Sequence, residues 1–161
     1  LPDALDDIDA KLLALLQQDA SAPVAELAEK VGLSVSPCWR RIRRLHETGV
    51  ILAQVAILDR EKVGLKFEVY CTVKLSLANK DNLEAFETAI AGWPEVMQCA
   101  TVTGSADYEL RVVTVDMRAF DDFLREKILS LGLVSTIESR IVITPVKNAT
   151  ALPLALVRPH V

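Results

Sequence analysis

The residues best suited to chemistry in this chain are four arginines, Arg40, Arg41, Arg43 and Arg44, which fall within five positions. A guanidinium pairs with phosphate oxygens and forks onto the O6 and N7 acceptors of guanine, so such a cluster is suited to duplex DNA. Ser34, Ser36 and Trp39 lie on the same stretch and add hydroxyls and a ring. The candidate DNA-contacting residues are Ser34, Ser36, Trp39, Arg40, Arg43 and Arg44.

The element that must carry them is legible in the spacing. Cys38, Ile42 and Leu45 recur at i, i+4 and i+7, one face of a helix, which leaves the arginines mostly outside and puts Arg40, Arg43 and Arg44 on a shared exposed face. Ser34 or Ser36 can cap the start, Pro37 falls in the first turn, and Gly49 can supply a left-handed end. Upstream, residues 24–33 place Leu27, Ala28 and Val31 on one face. Ala28 allows close helix crossing, and Gly32 permits the sharp turn. The pair reads as a helix-turn-helix, whose second helix enters the major groove. An amphipathic stretch over residues 6–18, with Ile8, Leu12, Leu15 and Leu16 on one stripe, braces it.

Composition bounds the rest. A chain of 161 residues that is 51% apolar can build real cores. A net charge of −4 means that affinity for nucleic acid must come from a local patch. The absence of a long uncharged apolar run and of a basic leader predicts a soluble protein of the cytoplasm, with no membrane partner. Cys38, Cys71 and Cys99 are odd in number, lie in apolar contexts and lack CxxC spacing, so buried thiols are expected instead of a disulfide or metal site. His46 and His160 are the only histidines, and neither a metal nor a cofactor is expected.

Residues 1–50 thus form a three-helix DNA-binding domain, and residues 51–60 an extended connector or strand linker. From residue 61 the pattern changes. Alternation over 67–77 predicts a strand, helical spacing over 79–91 a helix, and two β-rich runs at 96–103 and 107–115 a hairpin about Gly104-Ser105-Ala106. A helix from Asp116 to about 131 and a last strand over 134–145 complete a βαββαβ order. The fold class is α+β, with a ferredoxin-like second domain over residues 61–161. Both of its helices lie on one sheet face, and the other face is left free for burial. The apolar tail over 152–157 is expected to pack against a neighbour or a sheet edge.

This arrangement resembles the Lrp/AsnC, or feast/famine, family of prokaryotic transcriptional regulators. The matching segments are LDDIDAKLLALLQQD, ELAEKVGLSVSPCWRRIRRL, GVI at 49–51 and PEVMQCATVTGSADY at 94–108. The resemblance implies a DNA-binding regulator of transcription that dimerises through its sheet, assembles into octamers or similar rings, and binds a small effector such as an amino acid. It places the effector at the loop between dimers, Gly104-Ser105-Ala106-Asp107-Tyr108; the hydroxyls of Thr101 and Thr103 stand beside that loop in sequence, and Thr136 and Ser139 on the last strand are further candidates. The chemistry is compatible, because glycine lets amides approach an α-carboxylate, while Asp107 and the hydroxyls can pair with an α-ammonium. The same Asp107 can instead structure its own turn. Glu109 departs from the family's apolar residue; it can meet a cationic side chain or pair with Arg111.

Two other classes compete. An architectural protein that wraps DNA without an effector has the same helix-turn-helix. A ferredoxin-like enzyme is disfavoured, because the chain has no phosphate-binding glycine loop, metal-ligand cluster or nucleophile–histidine pair.

Overall fold

The structure is a computed structural model that describes residues 5–157; His160 lies outside them. The chain divides into two compact units. One comprises the residues up to Ile57 together with the segment from Lys147 onward, and the other is Leu58–Val146.

In the first unit, α1 (Asp7–Gln18), α2 (Val24–Val31) and α3 (Val35–Glu47) follow one another. Helix α1 begins with a reciprocal capping box between Asp6 and Asp9. Helix α2 ends at Gly32, whose φ of +72° turns the chain sharply into α3. Leu12, Leu27, Ala28 and Cys38 form the buried centre, with Ile8, Leu15 and Ile42 against it. Within this unit the tail reaches α1: Leu152 donates its N–H to Gln17 Oε1 (2.6 Å) and accepts from Gln17 Nε2 (3.2 Å), because a side-chain amide matches a backbone donor and acceptor together.

In the second unit, β1 (Phe67–Leu75), α4 (Lys80–Ala91), β2 (Val96–Thr101), β3 (Tyr108–Thr114), α5 (Met117–Phe123) and β4 (Val134–Ile141) realise the βαββαβ order. The sheet order is β2-β3-β1-β4, antiparallel throughout. Asn79 and Asp116 cap α4 and α5 through their side chains. The expected second helix is shorter than its apolar spacing suggests: after Phe123 it widens into a π-helical turn (Leu124–Ile128) and closes as a 3₁₀ turn (Leu129–Leu131). Val69, Cys71, Val73, Leu110 and Val112 face the helices and pack with Phe86, Tyr108, Phe120 and Ile128.

Three expectations need correction. Residues 51–58 take the extended-connector alternative and form no strand, because a strand requires a ladder partner and none lies beside them among the described residues. The helix-free face of the sheet is not apolar: it presents Glu68, Tyr70, Thr72, Glu109, Arg111, Glu138 and Arg140, so burial of hydrophobic surface does not by itself call for a cover. Cys99 is exposed while Cys38 and Cys71 are buried, because β2 is an edge strand that the helices cover incompletely. No described helix is long and apolar enough to cross a membrane.

Candidate nucleic-acid interface and effector loop

Helix α3 separates its arginines by function. Asp9 on α1 is fully buried, and its Oδ1 accepts from Arg41 Nη1 at 2.9 Å while its Oδ2 accepts from Arg44 Nη2. Arg41 also donates to Asp6 at 2.6 Å. A buried carboxylate must be paired, and these two guanidiniums pair it. The expected shared face of Arg40, Arg43 and Arg44 therefore does not hold for Arg44, which is half-buried and turned towards α1. Sequence periodicity could not show this, because the partner is on another helix. The Asp6 carboxyl lies below the ordinary carboxylate range, chiefly through the backbone N–H of Asp9, which outweighs the opposing effect of burial, with Arg41 lowering it further.

At 3.6 residues per turn, Val35, Trp39, Arg43, Ser36 and Arg40 follow one another across an outward arc of about 140°. All five are exposed. Arg40 makes no salt bridge among the described residues, whereas Arg43 bonds Glu47 at 2.6 Å and lies over the Trp39 ring, 5.4 Å from its centroid. Ser34 occupies the N-cap position without a side-chain capping bond, so its hydroxyl is free to act outside the helix. The cations, hydroxyls and ring thus share the exposed flank of a helix set in a helix-turn-helix, an arrangement that fits a major groove.

In the second unit, the β2–β3 hairpin is hooked onto β1. Val102 N–H donates to Asp107 O (3.0 Å), Asp107 N–H to Val73 O (2.9 Å) and Leu75 N–H to Asp107 Oδ2 (2.8 Å). The Asp107 side chain is therefore a structural acceptor bonded to the neighbouring strand, while its carbonyl closes the turn. Gly104 has a φ of +118°, which the side chain of an L-residue would strain. Beside this hairpin lies a concavity of about 620 Å³, lined by Thr72, Thr101, Thr103, Ser105, Glu109 and Arg140, with Val102 and Ala106 completing it. Glu109 pairs with Arg140 at 3.2 Å and not with Arg111, which is engaged by Glu68 at 2.6 Å.

The other expected effector residues are not gathered there. Tyr108 turns into the helix-side core, and its hydroxyl donates to Glu87 Oε1 at 2.8 Å. Burial first, and then Glu87, push its phenol well above the ordinary range. Thr136 is in register with Lys74, and Ser139 Oγ lies 3.7 Å from Cys71 Sγ; neither lines the concavity. Arg140 was missed from sequence, since only the strand register brings it across β1 to Glu109.

Against this geometry stand two family matches: an AsnC-type helix-turn-helix domain over residues 5–46 and an Lrp/AsnC ligand binding domain over residues 68–152. The chain belongs to the Lrp/AsnC family. It is 37% identical over 150 residues to the DNA-binding transcriptional activator DecR of Escherichia coli K12, covering 93% of this chain and 99% of that protein. It is 38% identical over 145 residues to the leucine-responsive regulatory protein of Rhizobium meliloti, covering 90% and 93% respectively. Its fold superposes with a TM-score of 0.89 on a transcriptional regulator from Neisseria meningitidis in complex with L-Met, at 37% identity, covering 93% of this chain and 97% of that one. Like its relatives, this member is a regulator of transcription and not an enzyme, and the ferredoxin-like sheet carries a ligand-binding domain.

Proposed function

We propose that the chain is a sequence-specific regulator of transcription acting in the cytoplasm, which binds duplex DNA through Ser34, Ser36, Trp39, Arg40 and Arg43 and responds to an amino acid held beside the β2–β3 hairpin. The observation that carries the DNA half is the division of the arginines on α3. Asp9 engages Arg41 and Arg44, while Arg40 has no ion-pair partner among the described residues and Arg43 lies over an exposed indole. Arg44 becomes a brace in this reading.

The effector half rests on the concavity at the hairpin, lined by Thr72, Thr101, Thr103 and Ser105 together with a carboxylate–guanidinium pair. Glu109 can receive an ammonium and Arg140 a carboxylate, the two charges every free amino acid carries. The relative solved with L-Met supports this class of ligand. Gly104 and Asp107 shape the loop, whereas Tyr108, Thr136 and Ser139 are set aside from direct contact.

Assembly into homodimers and higher multiples such as octamers completes the reading. Leu52, Val55, Ile57 and Leu58 are exposed on an extended segment without a ladder partner, the state a second copy relieves. The test is anisotropy of a labelled operator fragment with each amino acid added, alongside light scattering of the chain alone. The expected result is a change in DNA affinity with one ligand or a few related ones, on an assembly larger than a monomer. No response to any amino acid at millimolar concentration would leave the architectural alternative in its place.

A further inference from the structure

Val35 and Trp39 are out of place for residues of their type. Val35 is 51% exposed and Trp39 49%, and neither belongs to the core that Leu12, Leu27, Ala28 and Cys38 build. They stand at i and i+4 on the N-terminal half of α3 and line an open, largely apolar hollow with Val24, Ser36 and Arg40. Single exposed apolar residues need no explanation, but here two adjoin each other beside Arg43 and Arg40, on the part of a recognition helix that meets base edges.

The major groove offers one apolar group, the C5-methyl of thymine. We infer that Val35 and Trp39 form a thymine-methyl reader, so that the sites this regulator selects carry thymines at fixed positions opposite these two side chains. Arg40, at the flank of the hollow, supplies the neighbouring phosphate or base contact. Arg43 over the indole face fixes the ring's orientation, with Glu47 holding the guanidinium in turn. The inference rests on the DNA-binding reading above and adds which base is read and by what.

The experiment begins with selection of duplexes from a random library by the full chain. Each thymine of the selected sequence is then replaced singly by deoxyuridine, which removes the methyl and leaves the hydrogen-bonding edge unchanged. One buried methyl corresponds to about fourfold in affinity, so a loss of that size is expected at one or two positions per half-site and none elsewhere. In Val35→Ser, which removes both methyls from an exposed side chain, and in Trp39→Ala, the corresponding loss should disappear. Uniform affinity across all uridine duplexes for the unaltered chain overturns the inference, and that arm does not depend on any variant folding. Methyl effects that persist undiminished in folded variants overturn it too, since they then report the stiffness of the DNA. A chain that enriches no sequence at all overturns the DNA-binding reading itself.

Discussion

Arg44 and Asp9, thirty-five residues apart in the chain, are joined by a salt bridge in which the carboxylate is fully buried and the guanidinium half-exposed. Arg41 completes the clamp on the other oxygen. The first unit is therefore locked by charge as well as by its small apolar centre, and the lock fixes how α3 is presented.

That lock is asymmetric, which gives the first prediction. Replacing both Arg41 and Arg44 by alanine strands a buried carboxylate and should cost about 3–5 kcal/mol. Arg44→Ala alone leaves Asp9 paired with Arg41 and should cost about 1–2 kcal/mol. Trp39 lies in the first unit and Trp93 in the second, so urea unfolding followed by fluorescence in Trp93→Phe chains isolates the response. Equal losses for the double and single variants would contradict the clamp.

On DNA the order of importance should reverse. Arg40→Ala should weaken binding to every sequence and lower the salt slope by about one if its contact is to phosphate, or cost about 1–3 kcal/mol at one base pair if it is to guanine. Either way its stability should be unchanged. Arg44→Ala, compared at temperatures where it is fully folded, should retain its salt slope. Anisotropy titrations over a range of salt concentrations decide between them.

How much of this was legible in the sequence depended on the range of the interaction. The turn at Gly32, the cap at Asp116 and the βαββαβ order follow from local chemistry, and each lies where the pattern placed it, while Asp6 and Asn79, expected as the first residues of their helices, are N-caps instead. The division among the arginines was hidden, because Asp9 is distant in sequence and a charge run shows no partner. The polar character of the open sheet face was hidden for a similar reason. Glu68, Arg111, Glu109 and Arg140 come together only when the strand register is known, and a period-two pattern does not reveal which polar residues face one another. The hook of Asp107 on Leu75 N–H depends on the same register.

Acid should loosen the first unit through Asp6. Its carboxyl is held low in the folded chain, so its stabilising contribution is present above the carboxylate's unfolded range and disappears as pH falls through the folded value. Asp6→Asn should be less stable than the parent chain near neutrality and should show a flatter loss of stability towards low pH. Thermal unfolding across an acid series reads both. An acid limb of unchanged steepness would show that Arg41 and the Asp9 N–H do not act through this group.

The hairpin gives the last prediction, since two acids two residues apart have different tasks there. Asp107 Oδ2 accepts the N–H of buried Leu75, so Asp107→Ala leaves that donor unpaired and should destabilise the second unit by about 1–3 kcal/mol, with Asp107→Asn milder because an acceptor remains. Glu109 pairs with Arg140 across an open face, and exposed pairs contribute about 0–1 kcal/mol. Glu109→Ala should therefore leave unfolding nearly unchanged while removing the anchor offered to an ammonium group. Its effect should appear in ligand titrations: amino acids that shift the parent chain's DNA affinity should shift the variant's far less, with basal affinity retained. Stability is read from urea unfolding followed by Trp93 fluorescence in Trp39→Phe chains, and the ligand response from calorimetry. If Glu109→Ala responded to the effector as the parent does, and folded Asp107→Asn did not, direct recognition would belong to Asp107 and the concavity beside it would be only a surface hollow.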